Sequence, residues 1–302
     1  MKVFITGGAG FIGSHLHKKL ESDGHEVKSI DNFMHQSKAP HKAVYGDIRY
    51  YQDIEHYVKW ADIVYHLAAQ IHVDKSIKNP QETIDINING TLNILEACRV
   101  YNKKLVFAST SEAYGTSQCE NMTEEHPLDC QSPYGASKVA GDRLCKSYID
   151  TYGMDITILR NFNTFGEYQN DGSYGGVIAI FTRQALNGDD ITIFGDGSQE
   201  RDYMYIDDAV QAYQIASQTS GVMNAGSGKT VTVKEIANII KNITNSNSKI
   251  VHKEPRAGEV MRLCAGIDKA KSLGFTSSTD FERDLTKYIK WYERNIFQRN
   301  RE

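Results

Sequence analysis

Apolar residues come in short bursts along this chain, and the bursts alternate between two periods. Val3-Phe4-Ile5 is a continuous apolar run that stops at Gly7-Gly8. Phe11, Ile12, His15, Leu16 and Leu20 then recur with helical spacing as far as Gly24, and Val27 to Ile30 reads as the next strand. A run too short for a helix is read as a strand with both faces buried, and a spacing of three and four as an amphipathic helix. A glycine just past the last periodic residue is a usual helix stop. The segment is therefore strand, glycine-rich turn, helix, strand.

The same rhythm continues. "KAVYGDI", "DIVYHLAA", "KLVFAST" and "DITILRNFNTFG" read as strands, with "TIDININGTLNILEACRVY" and "SPYGASKVAGDRLCKSYIDTYG" as long helices between them. Such alternation predicts an α/β fold of the Rossmann type, a doubly wound parallel sheet with helices on both faces. Ligands of such sheets collect at the carboxyl ends of the strands, and Gly10, Asp31, Asp47, Ala69, Thr110 and Asn163 all fall there. After Gly166 the rhythm breaks. A polar loop "EYQNDGSYGG" leads to a helix in "GVIAIFTRQALNGDD", a strand in "ITIFGDG", a strand and helix in "ERDYMYIDDAVQAYQIA", and, from about Lys253, a basic loop and a charged helix. No linker separates the two parts. Residues 1–166 are expected to form a dinucleotide-binding domain with a return segment near 202–224, and 167–302 mostly a smaller substrate-binding region packed directly on it.

Composition narrows the class. A chain of 302 residues is long enough for one large α/β domain and a smaller companion. With 40% hydrophobic and 24% charged residues it is globular, and a net charge of -4 gives no basic footprint for nucleic acid or for an anionic membrane. Its apolar runs fall far short of the roughly 18 residues of a membrane span. Met1 leads straight into the first strand, so no signal peptide is expected. The five cysteines (Cys98, Cys119, Cys130, Cys145, Cys264) are scattered with no C-x-x-C pair. They read as reduced thiols of a cytoplasmic protein, and no metal site is expected.

Three stretches carry chemistry. Gly7, Gly10 and Gly13 have G-x-x-G-x-x-G spacing at the strand-to-helix turn. This is close to the dinucleotide fingerprint, in which absent side chains let the backbone approach a pyrophosphate that sits on helix N–H groups. Asp31 ends the second strand, 18 residues after Gly13. A carboxylate there accepts hydrogen bonds from ribose hydroxyls and repels a 2′-phosphate, which favours NAD over NADP. "GSGKT" (Gly226 to Thr230) looks like the end of a P-loop, but the glycine required five residues before Gly228 is Met223, so the stretch reads as a loop entering a helix. In "SPYGASK", Ser132 is an N-cap, Pro133 suits the first helical position, and Tyr134 and Lys138 share one helix face. A tyrosine of pKa about 10 becomes a base at neutral pH only if the phenolate gains roughly 4 kcal/mol, which a nearby ammonium and an oxidised nicotinamide can supply. "LVFASTSEAYG" is a buried strand that ends in Ser109, Thr110 and Ser111 and then places Glu112 at its mouth.

Together "TGGAGFIG", "STSEAYG" and "YGASK" resemble the extended short-chain dehydrogenase/reductases, and within them the nucleotide-sugar epimerases and dehydratases. "HVDKSI", "NINGTLNILEA", "RNFNTFG" and "GDGSQERDYMYIDDA" carry the resemblance over essentially the whole chain. It implies an NAD-dependent enzyme that transiently oxidises the C4 hydroxyl of a nucleotide-diphosphate sugar, with Tyr134 as base, Lys138 lowering its pKa and Thr110 bonding the reacting oxygen. It implies that Gly7, Gly10, Phe11, Ile12, Gly13, Asp31, Asn32, Asp47, Ile48, Leu67, Ala68, Ala69 and Asn87 surround the cofactor together with Tyr134 and Lys138, Lys138 holding the nicotinamide ribose. Ser111, Asn163, Arg201 and Arg256 would join Thr110 around the substrate, the arginines on its diphosphate. A homodimer through the helices near Asn87 to Tyr101 and Tyr134 to Tyr152 is also implied.

The triplet Thr110-Ser111-Glu112 matches the 4,6-dehydratases, in which a carboxylate removes the C5 proton once C4 is a ketone; a simple 4-epimerase has no use for it. Against this, Glu167-Tyr168 stands where dehydratases and decarboxylases of the family carry Pro-Arg, and "GGVIAIF" and "PRAGEV" look more like 4-epimerases. The triplet favours a nucleotide-hexose 4,6-dehydratase, with a nucleotide-sugar 4-epimerase as the alternative. A decarboxylase or a non-catalytic binder is less favoured.

Overall fold

A computed structural model describes residues 1–35, 37, 39–172, 175–255 and 259–297. In chain order the first part runs β1 (Lys2–Thr6), α1 (Phe11–Ser22), β2 (Glu26–Asp31), β3 (Val44–Tyr45), α2 (Tyr51–Trp60), β4 (Ile63–His66), α3 (Val73–Lys78) and α4 (Pro80–Ile84). A π-helical turn (Asp85–Asn89), α5 (Gly90–Val100), β5 (Lys104–Thr110), a short 3-10 turn (Ser111–Ala113), α6 (Pro133–Tyr152) and β6 (Ile156–Asn161) follow. The second part comprises β7 (Asn163–Phe165), α7 (Val177–Asn187), β8 (Ile191–Phe194), β9 (Glu200–Tyr205), α8 (Ile206–Ala216) and β10 (Gly221–Ala225). It continues with β11 (Thr230–Thr232), α9 (Val233–Thr244), β12 (Ile250–Lys253), β13 (Arg262–Leu263), α10 (Asp268–Ser272) and α11 (Phe281–Tyr292).

Seven strands form one sheet in the order β10-β6-β5-β4-β1-β2-β3, and every neighbouring pair is parallel. The alternating pleat explains why its strands read as continuous apolar runs. Val3 and Ile5 pack on one face with Leu16 and Leu20 of α1, while Phe4 faces the other way onto Ile54, Val58 and Ile94. The first of these cores runs on without a break into Ile178, Ile236 and Leu285 of the second part, so the two parts share one apolar interior. The strand order reverses between β1 and β4, and the crevice at such a switch point is where ligands of doubly wound sheets bind.

Two elements differ from the pattern reading. "DITILRNFNTFG" is two strands in two sheets. β6 ends at Asn161, the Phe162 N–H donates to the carbonyl of Ala225 at 2.8 Å, and β7 then pairs with β9 in a smaller four-stranded sheet that also contains β11 and β13. The segment expected to return near 202–224 does so only through α8, which packs on α1, and β10; β9 stays in the small sheet. The reason is polar. The Asp202 carboxylate accepts from Ser227 N (2.6 Å), Ser227 Oγ (2.7 Å), Gly228 N (2.8 Å) and Ala265 N (3.1 Å), which ties β9 to the neighbouring loops. Two backbone donors of "GSGKT", Ser227 N and Gly228 N, are thus taken by this chain's own carboxylate, and Lys229 N by Ser227 Oγ at 3.2 Å. No described helix is long and apolar enough to cross a membrane.

Candidate active site

The crevice at the switch point is a cleft of about 390 Å³. The glycine turn forms one wall. Gly7 has φ +76°, and a Cβ there would lie 2.8 Å from Ala68 N; one on Gly13 would lie 2.1 Å from the Gly7 carbonyl oxygen. Both positions exclude any other residue, because the turn lies directly on the backbone that follows β4. Gly10 is the N-cap of α1, and no side chain caps the helix. Its first-turn residues Phe11, Ile12 and Gly13 line the cleft, so the uncapped amide end of a three-turn helix is turned to it, the usual seat of a pyrophosphate.

Asp31 and Asp47 form the far end. Asp31 accepts from Ala9 N at 3.0 Å and Phe33 N at 2.8 Å, which fixes its carboxylate in the cleft wall. Asp47 accepts from Asn32 Nδ2 (3.1 Å) and from Arg49 Nε (3.0 Å) and Nη2 (2.7 Å). Burial opposes its charge, yet the Arg49 guanidinium and Asn32 hold its carboxyl below the usual range. Ile48, Leu67, Ala68 and Ala69 complete this wall. Amide donors at the glycine turn, acceptor carboxylates at Asp31 and Asp47 and apolar surface at Ile48 and Leu67 are the groups that a pyrophosphate, a ribose and an adenine require.

At the other end, Ser132 Oγ accepts from Gly135 N at 3.0 Å and Pro133 occupies the first turn, so α6 starts where its sequence predicts. This sets Tyr134 and Lys138 against the carboxyl end of β5. Thr110 is hydrogen-bonded to the buried Tyr134 hydroxyl, and Lys138 donates to the carbonyl of Ala108 and lies 4.4 Å from the Phe107 ring centre. Burial pushes the Tyr134 phenol up to about 12 and the Lys138 ammonium down to about 8. In the protein alone both groups therefore resist charge, and Tyr134 is a hydrogen-bond donor rather than a base at neutral pH.

Thr110, Tyr134, Lys138 and Asn163 line the same cleft as the glycine turn. Ser111, Glu112 and Arg201 do not line it. Glu112 sits half-buried in the 3-10 turn after Thr110, where burial raises its pKa and the charge of Arg201 opposes the rise. Arg201 lies on β9 and donates to the Glu200 carbonyl at 3.0 Å. Asn87 is a buried clamp behind the wall: it accepts from Gln70 N (2.8 Å) and donates to Gln70 O (2.9 Å) and Ser137 Oγ (2.9 Å). Arg256 lies outside the described residues.

Sequence reasoning missed several members. Gln70, Asn161, Gln169 and Asn170 line the cleft. Asn161 follows from register, since it sits opposite Thr110 on the neighbouring strand. The pair Arg160 and Asp142, buried behind the hydroxyl triplet, carried no local signal. Its Nε–Oδ2 distance is 2.8 Å; Asp142 also accepts from Ser109 Oγ at 3.2 Å, and Arg160 donates to Tyr114 Oη at 3.0 Å.

Comparison with known proteins places this geometry. Residues 3–226 match the NAD dependent epimerase/dehydratase family. A Methanocaldococcus jannaschii protein provisionally named a UDP-glucose 4-epimerase is 38% identical, over 97% of this chain and 99% of its own. The UDP-N-acetyl-alpha-D-glucosaminuronate decarboxylase of Bacillus cytotoxicus is 35% identical, over 96% of this chain and 97% of its own. The crystal structure of Thermotoga maritima UDP-glucose 4-epimerase with UDP-glucose superposes with a TM-score of 0.93 at 33% identity, covering 98% of this chain and 100% of that one.

Proposed function

The chain belongs to the NAD dependent epimerase/dehydratase family, and we propose that within it the protein is a 4-epimerase of a nucleotide-diphosphate hexose, of the UDP-glucose type. The observation that carries this reading is which side chains reach the cleft. Thr110, Tyr134 and Lys138 line it directly, whereas Glu112 is set behind that lining and touches the site only through its charge, which opposes ionisation of the Tyr134 phenol. A 4-epimerase needs only the first three, whereas a 4,6-dehydratase also needs a carboxylate at the sugar C5. This reverses the preference that Thr110-Ser111-Glu112 carries in the sequence. The similarity to two proteins named as UDP-glucose 4-epimerases, one of them a complex with UDP-glucose, supports the same reading.

In this reading Gly7, Gly10 and Gly13 hold the pyrophosphate of NAD, Asp31 its adenosine ribose, and Asp47 and Ile48 the wall beside its adenine. When bound, NAD supplies a hydride acceptor and donor for the sugar C4 and a positive charge near the phenol. Tyr134 takes the proton of the C4 hydroxyl and returns it after the ketone has turned over in the site. Thr110 orients the phenol and the reacting oxygen by hydrogen bonding. Lys138, one helical turn from Tyr134, helps to stabilise the phenolate. Lowering a phenol from about 12 to about 7 corresponds to on the order of 7 kcal/mol at about 1.4 kcal/mol per unit, more than a single nearby ammonium is asked to provide. Catalysis by Tyr134 is therefore coupled to occupancy of the cleft. Asn163, which lines the cleft, is assigned to the substrate diphosphate, and Gln169 and Asn170 in the same lining are the contribution of residues 167–302 to the proposed substrate-binding region; Arg201, outside the lining, is left without a substrate contact. We assign the homodimer contact to α5 and α6, whose Leu92, Val100 and Tyr152 are exposed.

A second reading comes from Glu112 itself. Burial holds its carboxyl above the usual range, as suits a proton-transferring acid or base, and it lies next in sequence but one to Thr110. Incubation with UDP-glucose, UDP-N-acetylglucosamine and UDP-glucuronate, followed by mass spectrometry and proton NMR, separates the readings. A C4 epimer of unchanged mass supports epimerase; loss of water or of carbon dioxide refutes it in favour of dehydratase or decarboxylase.

A further inference from the structure

His66, the last residue of β4, is fully enclosed and belongs to no wall of the cleft. Its ring lies between two hydroxyls. Nδ1 is 2.7 Å from Thr6 Oγ1, at the end of β1, and Nε2 is 3.0 Å from Thr91 Oγ1 on α5. The protons around it can be placed by counting. Thr91 Oγ1 donates to the Asn87 carbonyl at 2.7 Å, an acceptor only, so its one proton is committed. Thr91 must then accept from His66, which puts the hydrogen on Nε2. Nδ1 is left bare and accepts from the Thr6 hydroxyl, whose oxygen in turn accepts from Ala68 N at 3.2 Å. Every donor and acceptor in the chain is used once, with the imidazole neutral; the opposite tautomer leaves the Thr6 proton without an acceptor. Burial keeps the ring neutral, lowering its pKa to about 3.

The two ends of this chain matter. On one side Thr6 leads into Gly7, which lies against Leu67 and Ala68, and its hydroxyl holds the Ala68 amide. On the other side Asn87, in the π-helical turn, grips both main-chain groups of Gln70 and donates to Ser137 Oγ, which donates to the Tyr134 carbonyl at 2.7 Å. Residues 67–70, the cleft wall between the glycine turn and Tyr134, are therefore held at both ends through one imidazole.

We propose that His66 is a positioning residue whose Nε2–H tautomer couples the dinucleotide turn to the helix that carries Tyr134, and so sets the reach between cofactor and base. The proposal rests on the reading that this cleft binds NAD and that Tyr134 is the base. Its two sides can be cut separately. In His66→Asn the side-chain oxygen replaces Nδ1 as acceptor from Thr6 and the donor to Thr91 is lost. In His66→Gln the amide nitrogen replaces Nε2 as donor to Thr91 and the acceptor for Thr6 is lost.

The test uses the full chain with NAD, titrated by calorimetry, and kcat at saturating NAD and sugar nucleotide. His66→Gln should weaken NAD by about 10-fold, the scale of one unsatisfied buried hydrogen bond, with the smaller change in kcat. His66→Asn should lower kcat by about 10- to 100-fold, the scale of a displaced catalytic group, with the smaller change in NAD affinity. Equal losses in both variants, or the reverse assignment, would overturn the coupling. If either fails to fold, Thr6→Val and Thr91→Val make the same two cuts and carry the same expectations. Nitrogen-15 NMR of the histidines reads the tautomer directly: protonated Nε2 and bare Nδ1 from pH 5 to 9 is expected, and a protonated Nδ1 sinks the proposal. The NMR and NAD arms need no sugar, so absence of epimerase activity with an intact NAD split would count against the proposed function and not against the role of His66.

Discussion

Tyr134 and Lys138 are two buried groups that each resist their charged form, and this has opposite consequences for catalysis and stability. Tyr134→Phe removes the proposed base and should lower turnover by at least about 100-fold while leaving NAD binding nearly unchanged; steady-state kinetics with calorimetry checks both. Lys138 has its pKa lowered from 10.5 to about 8, so folding favours its neutral form. The stability it supports is present above about pH 10.5 and is lost as pH falls through about 8. Below pH 8 the fold carries a buried ammonium whose cost is on the order of 3 kcal/mol. Without NAD, Lys138→Met should therefore melt above the wild type at pH 7, and the gap should close as pH rises from about 8 to 10.5; a constant gap would contradict this. The residue types at these positions were readable in sequence because Tyr and Lys sit four apart behind an N-cap. The size and direction of their shifts were not, since both come from enclosure by β5 and the cleft wall.

Elements differ in how much of their placement is local. The run from β1 to β2 is fixed by glycine sterics and helical spacing, and the sequence pattern predicts its elements in order, with their ends shifted by a residue or two. The break between β6 and β7 is not visible, because Arg160 to Phe165 keep a strand-like pattern while the backbone changes partners from one sheet to another. The π-helical turn at Asp85–Asn89 likewise hides in a regular helical pattern; its consequence, the Asn87 clamp, needs Gln70 and Ser137 from elsewhere. The pair Asp142 and Arg160 joins α6 to β6 behind the hydroxyl triplet, and such a pair is costly to break when one partner goes. Asp142→Ala should lower stability by about 3–5 kcal/mol, measured by denaturant unfolding, because it leaves a buried guanidinium uncompensated. A loss below about 1 kcal/mol would mean that solvent reaches Arg160.

At the scale of the whole molecule, the shared core makes the cleft a joint product of both parts. Its NAD end comes from the parallel sheet, and its open side from β7 and the loop carrying Gln169 and Asn170. The sequence pattern predicts the first because periodicity, turn chemistry and the acid at Asp31 all lie within one unit. It leaves the reaction open because the deciding fact is spatial: whether Glu112 faces the sugar. Asp31 should make NAD bind at least about 10-fold more tightly than NADP, as like charges would meet at the ribose. The homodimer proposed through α5 and α6 should dissociate when Leu92 becomes Arg, read by sedimentation velocity.

The most direct test of the account is proton exchange at the sugar C5 during turnover of UDP-glucose in deuterated water, read by NMR of the recovered nucleotide sugar. If Tyr134 works only at C4 and Glu112 stands outside the cleft, the product is the C4 epimer with its C5 hydrogen undiluted, and Glu112→Gln turns over within a few-fold of wild type. Deuterium at C5, with loss of water and its abolition in Glu112→Gln, would show that Glu112 reaches the sugar and that the protein is a dehydratase.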